Sequence, residues 1–269
     1  MSAYTILVTD YAWPNLEIER QLLATVGGAL LVAKTGSAEE IARLAPQADA
    51  ILTCWAQVPA SALEAAPRCR LVSRYGIGLD NIPVQRATEL GILVTNVPDF
   101  CLEEVSDHAM ALLLAAARQI VPQAAASRAG RWQRETGQTI PRLRGQTLGL
   151  IGYGNSARAL VPKAAGFGLN VLAHTPRLAA GRLANGVEVV ASLADLLARA
   201  DYISIHAPLT DETRGLIDEK TLRKMKPNCV LINTSRGAII DESALVRALT
   251  EGWIAGAGLD VLVQEPPAP

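Results

Sequence analysis

Short runs rich in β-branched residues alternate with Ala- and Leu-rich stretches from one end of the chain to the other, and this alternation constrains the fold more than any other feature. "TILVTD", "ALLVAK", "ADAILTC", "RLVSRY" and "ILVTNV" read as strands, separated by helical stretches such as "NLEIERQLLATV" and "SAEEIARLA". A second series begins at "TLGLIG" and runs through "NVLAHT", "ADYISIHA", "NCVLINTS" and "AGAGLDVL". Strands that each return through a helix pair most simply in parallel, with helices on both faces of the sheet. The expected class is α/β, built as two doubly wound parallel-sheet units of Rossmann or flavodoxin type. Between the series lies "LEEVSDHAMALLLAAARQIVPQAAASRAGRWQRE", in which Val105, Ala109, Leu112, Leu113, Ala116 and Ile120 recur at helical spacing. Glu103, Glu104 and Asp107 stand near its start, where negative charge favours a helix N-terminus. We expect one long helix joining two domains, residues 1–99 and residues 100–269.

Composition removes several function classes. Among 269 residues, 25 Lys and Arg face 26 Asp and Glu, with no basic arm, so nucleic acid and anionic membrane are not expected as partners. No apolar run reaches the roughly 20 residues of a membrane span. Cys54, Cys69, Cys101 and Cys229 form no CxxC pair and no His stands at metal-ligand spacing, so reduced core thiols and no metal are expected. "MSAYTILVTD" lacks the features of a signal peptide, which gives a cytoplasmic expectation.

"TLGLIGYGNSARAL" carries Gly152, Gly154 and Ala157 directly after a strand and at the opening of a helix. In that setting Gly152 permits the tight turn, Gly154 lets a pyrophosphate approach the backbone, and Ala157 lets helix and strand pack closely. The phosphates are then expected on the free amides of the helix N-terminus. A carboxylate at the end of the following strand would accept hydrogen bonds from an unphosphorylated ribose. The sequence reads "AHTPR" there, with Thr175 and Arg177, and a hydroxyl with a guanidinium suits a 2′-phosphate better. The expected cofactor is NAD or NADP, with the balance towards NADP.

Four stretches, "RYGIGLDNI", "GLIGYGNSA", "HAPLTDETRGLI" and "NTSRGAIIDESAL", followed by "GLDVLVQEP", resemble the D-isomer-specific 2-hydroxyacid dehydrogenase family in content and order. "VPDFCLEEVSDHAMALLLAAAR" resembles especially the subgroup near the C-terminal-binding proteins, corepressors that keep the dehydrogenase fold. The resemblance implies hydride transfer between a nicotinamide and a small 2-hydroxy or 2-oxo acid. The alternative it leaves is a nucleotide-binding sensor or interaction module without turnover. It implies that Arg236 grips the substrate carboxylate and keto oxygen, a task for which the guanidinium fork is suited. It also implies that the amides of Tyr75, Gly76, Ile77 and Gly78 hold the carboxylate. On the cofactor side it gives Tyr153, Asn155 and Ser156 in the glycine loop, and His206, Ala207 and Pro208 near the adenosine. Thr234, Ser235 and Asp260 lie along the nicotinamide ribose and carboxamide. The family pairs as a homodimer.

The same resemblance makes Glu265 the partner of an imidazole that protonates the substrate oxygen. The family's histidine follows the "EP" pair, and "QEPPAP" is the last of this sequence. His108, His174 and His206 are expected to serve structural or cofactor-side roles. The expectation is therefore a chain without the general acid and without the C-terminal end of the dinucleotide domain.

Overall fold

In the computed structural model, residues 3–131 and 140–267 are described, and they form two units, Met1–Phe100 and Cys101–Pro269. In the first unit the elements follow as β1 (Tyr4–Val8), α1 (Glu17–Ala24), β2 (Gly28–Val32), α2 (Ala38–Leu44), β3 (Ala50–Thr53), α3 (Ala60–Glu64), β4 (Leu71–Arg74), α4 (Val84–Glu89) and β5 (Leu93–Thr95). All pair in parallel in the order β2-β1-β3-β4-β5. Leu7, Ile51 and Val72 are fully buried and pack with Ile41 of α2 and Leu63 of α3. Ser37 starts α2 by accepting from the Glu40 amide at 3.2 Å, one of the donors a helix start otherwise leaves orphaned.

The second unit runs α5 (Leu102–Ala117), α6 (Ile120–Arg128), β6 (Thr147–Ile151), α7 (Asn155–Gly166), β7 (Asn170–His174), β8 (Gly181–Arg182), β9 (Glu188–Val189), α8 (Leu193–Arg199), β10 (Tyr202–Ile205), α9 (Glu219–Leu222), β11 (Val230–Asn233), α10 (Glu242–Thr250) and β12 (Gly256–Leu259). The sheet order is β12-β11-β10-β6-β7-β9-β8, parallel except for β8. Central strands β10 and β11 are buried along their whole length, as a sheet covered on both faces requires. Ile203, Ile205 and Leu231 face the layer of α8, α9 and α10, while Leu148, Leu150 and Ile232 face α5 and α7.

Two expectations need correction. The single long helix is two, α5 and α6, set at 61° to each other and both within the second unit. Gln119 takes a left-handed conformation (φ 52°) between them. Pro122 explains the break, because it has no N–H for the carbonyl of Arg118 and its ring would press on that carbonyl. The remainder of the expected helix, from residue 132, lies outside the described residues. Cys101 is not in the core: it is part-exposed and starts α5 with φ 54°, whereas Cys54, Cys69 and Cys229 are buried free thiols. Burial pushes the Cys229 thiol up to about 12. The short pair β8 and β9 was not foreseen. Among the described residues no single helix is long and apolar enough to cross a membrane, and no His, Cys, Asp or Glu group could hold a metal.

Candidate active site

In the second sheet the order reverses beside β6: its chain continues through α7 to β7 on one side, and β10 pairs on the other. The carboxyl ends of strands at such a switch point form a crevice in open α/β sheets. The sequence places Gly152 at that point, and its φ is +90°, a conformation an L side chain resists. An added Cβ would also lie 2.7 Å from the His206 carbonyl oxygen. Gly154, the N-cap of α7, has φ −84° and open space where a Cβ would stand, and no side chain caps the helix. The first-turn amides of α7 are thus presented to that space. Ala157 is fully buried against the sheet.

The other sequence-identified residues gather on neighbouring loops of this unit. Ser156 Oγ lies 3.3 Å from His206 Nδ1, and Ser204 Oγ lies 2.9 Å from His206 Nε2, so the imidazole links α7 to β10. Ser235 donates to the Ala207 carbonyl at 2.5 Å, tying the loop after β11 to the loop after β10. Pro208 is exposed, and its carbonyl accepts from Thr213 Oγ1 at 2.6 Å. Tyr153 turns its side chain inward, where Asn185 Nδ2 donates to its hydroxyl at 2.8 Å, so only its backbone faces the crevice end. Asn155 is exposed at the start of α7. Thr175 is buried and accepts from the Arg177 amide at 3.3 Å, while the Arg177 side chain is exposed. Thr234 Oγ1 is buried with no partner among the described residues.

Arg236 follows in extended backbone, with its carbonyl held by Asn233 Nδ2 at 2.9 Å and its Nη1 donating to the Ser235 carbonyl at 2.8 Å. The segment after β12 runs against the next residue: a Cβ on Gly237 would meet the backbone of Leu262 and Val263. That segment is fixed by Glu242, which accepts from the Val263 amide at 2.6 Å. Glu265 is exposed and accepts from the Leu262 amide at 2.8 Å. Asp260 stands at the end of β12, its carboxylate 3.3 Å from His108 Nε2. His174 Nδ1 lies 3.3 Å from the Val190 carbonyl. Each histidine therefore has a partner other than Glu265.

Burial pushes the His206 imidazole down to about 4. Part of the residue remains accessible, and the serine hydroxyls at both ring nitrogens can satisfy either tautomer of the neutral ring. An unfolded imidazole takes its proton near pH 6.5 and the folded one near 4, so between those values the unfolded chain binds more protons. Stability is unaffected by this group above pH 6.5 and falls as pH drops through the window, by up to about 3 kcal/mol. Denaturant unfolding at pH 7 and pH 4.5 checks this, with His206→Gln expected to lose less stability on acidification than the parent chain.

In the first unit, the loop Tyr75 to Gly78 follows β4 at the carboxyl end of its sheet. The Tyr75 amide donates to the Thr53 carbonyl at 3.0 Å. The carbonyls of Gly76, Ile77 and Gly78 accept from the Val97 amide, from Asn96 Nδ2 and from Arg74 Nη1 respectively. The amides of Gly76, Ile77 and Gly78 meet no acceptor among the described residues. With its carbonyls engaged and its amides unpaired, the loop presents partial positive charge, which suits an anion. The Tyr75 ring packs edge-on against Trp13, with centroids 4.7 Å apart, and burial raises the pKa of its phenol, helped by the Glu19 carboxylate.

Sequence reasoning missed the group that holds this end of the sheet. Asp10, at the end of "TILVTD", accepts from the amides of Cys54 (2.9 Å), Trp55 (2.7 Å) and Ala56 (3.1 Å) and from Thr9 Oγ1 (2.8 Å). Partial burial disfavours its charge, but those donors outweigh it and the carboxyl pKa is lowered. Buried Arg74 adds Nε to the Cys54 carbonyl at 2.7 Å, and Asn81 reaches the Ala56 carbonyl at 2.9 Å. A polar residue closing an apolar strand at its carboxyl end was the available signal.

The family model described as "D-isomer specific 2-hydroxyacid dehydrogenase, NAD binding domain" matches residues 110–269. A glyoxylate reductase of Thermococcus litoralis is 43% identical over 228 residues, covering 82% of this chain and 69% of that one. A D-3-phosphoglycerate dehydrogenase of Mycobacterium leprae is 44% identical over 223 residues, again 82% of this chain but 42% of its own length. Among solved structures, an NADPH-dependent glyoxylate/hydroxypyruvate reductase from Sinorhizobium meliloti, in complex with NADP and malonate, superposes with a TM-score of 0.84 at 32% identity, covering all of this chain and 82% of that one. The family match, the identities and the shared architecture lead to one conclusion: the chain belongs to the D-isomer specific 2-hydroxyacid dehydrogenase family.

Proposed function

We propose that the protein acts in NAD(P)H-dependent reduction of a small 2-oxo acid, and in the reverse oxidation of the 2-hydroxy acid. The observation that carries the reading is the amide-presenting loop of Gly76 to Gly78, a receptor for a carboxylate in a family defined by 2-hydroxy acids. The dinucleotide fits the residues of the second unit: open space at Gly154, uncapped α7 amides and the partnerless Thr234 hydroxyl each suit a polar ligand. Bound there, it supplies the hydride. Asn155, Ser156 and the Tyr153 backbone are assigned to the phosphates, and His206, Ala207 and Pro208 to the adenosine side. Thr234, Ser235 and Asp260 are assigned to the nicotinamide end.

Arg236 is assigned the substrate's carboxylate and the polarisation of its keto oxygen. Neutral His206 adds no charge to the adenosine side. Glu265 is assigned the orientation of the imidazole that delivers a proton to the substrate oxygen. His108, His174 and His206 each meet another partner: Asp260, the Val190 carbonyl and two serine hydroxyls respectively. We further assign the 2′-phosphate of NADP to Arg177 and Thr175, since β7 ends in "HTPR" without a carboxylate, and a homodimer to α6, which exposes Ile120 and Val121.

The test is ternary binding, which does not require the proton donor. Glyoxylate should perturb the fluorescence of NADPH bound to the chain, and Arg236→Ala should weaken glyoxylate at least about tenfold by removing a charge-assisted bidentate contact. An unchanged response in Arg236→Ala would remove the assignment. In the same titrations Arg177→Ala should weaken NADPH about fivefold and leave NADH alone. Dinucleotide binding with no response to any 2-oxo acid would favour the sensor reading instead.

A further inference from the structure

Helix α5 crosses β12 so closely that a Cβ on Gly258 would lie 3.0 Å from the Leu112 Cβ. Side chains four apart share a helix face, and side chains two apart share a strand face. One turn before Leu112 stands His108, and two residues beyond Gly258 stands Asp260, which explains why His108 Nε2 and Asp260 Oδ1 lie 3.3 Å apart. The pair is thus set by the approach of two backbones. Both side chains are about half exposed, and solvent-exposed pairs of this kind add little to a fold, so stability is a weak reason for the arrangement. The Asp260 amide continues the ladder by donating to the Asn233 carbonyl at 3.0 Å, placing the carboxylate at the carboxyl end of the sheet, beside the segment that carries Thr234 and Ser235.

We infer that His108 is a positioning residue for the nicotinamide end of the dinucleotide. Its Nε2–H engages Oδ1 of Asp260 and holds the carboxylate in one orientation, leaving Oδ2 to accept from the carboxamide amino group. The inference rests on the assignment of Asp260 given above, and deepens it.

The experiment compares NADPH with ADP-ribose 2′-phosphate, which lacks the nicotinamide, on the chain and three variants. His108→Leu should weaken NADPH about fivefold, the scale of one net hydrogen bond, and leave ADP-ribose 2′-phosphate within about twofold. His108→Gln, which keeps a donor, should recover most of the NADPH affinity. Unchanged NADPH affinity in His108→Leu, with Asp260→Ala weakened, would overturn the role of His108 and spare that of Asp260. Equal loss of both ligands in His108→Leu would reduce His108 to a structural residue. Unchanged NADPH affinity in Asp260→Ala would overturn the assignment of Asp260, and the inference with it.

Discussion

Gly154→Val should leave the chain's stability within about 1 kcal/mol and yet weaken dinucleotide binding at least about tenfold. The backbone at Gly154 has an ordinary φ of −84° and no atom within 4 Å of the added Cβ, so the fold has no reason to object. The new side chain would instead occupy the space from which a phosphate reaches the α7 amides. Gly152→Ala should behave in the opposite order. There the φ of +90° costs about 1–2 kcal/mol for any L residue, and the His206 carbonyl 2.7 Å away is backbone that cannot swing aside. A stability loss of about 3 kcal/mol is expected for Gly152→Ala, readable as a lowered urea midpoint. The contrast separates a glycine kept for the fold from one kept for the ligand.

Asp10→Ala is the second large effect. It removes the acceptor of three consecutive amides, for which the described structure shows no other, and one of the two acceptors of the Thr9 hydroxyl. Charge-assisted bonds of this kind contribute about 1.5–3 kcal/mol each before water compensates the freed donors, so a loss of about 2–4 kcal/mol is expected. Because Trp55 is 63% exposed on the same loop, its fluorescence should report loosening before the first unit unfolds. Urea unfolding followed by tryptophan emission would check both; a midpoint equal to that of the parent chain would show that Asp10 does not hold the loop.

The α/β class was readable because parallel strands covered on both faces must be apolar along their length, and "TLGLI", "YISI" and "VLIN" are. The strands Gly181–Arg182 and Glu188–Val189 were not, since two residues carry no periodicity. The break between α5 and α6 was legible in Pro122, but the strong spacing of Val105 to Ile120 concealed it. Within the candidate site, the residues seen early are those in contiguous motifs: the glycine loop, "HAP" and "NTSRG". Asp10 escaped because its partners lie 44 to 46 residues away and are backbone amides, which no residue type announces. The pairing of His108 with Asp260 escaped for a related reason. It follows from the close packing of Leu112 on Gly258, which is decided only when helix and sheet meet.

The central claim is that the carboxyl end of the second sheet is a working dinucleotide site. The most direct measurement is an equilibrium titration of the chain with NADPH and NADH, followed by nicotinamide fluorescence. The expected result is saturable binding of both at one site per chain, NADPH the tighter, with affinity lost in Gly154→Val while the fold is retained. Failure of the folded parent chain to bind either dinucleotide at millimolar concentration, or equal binding by Gly154→Val, would contradict it.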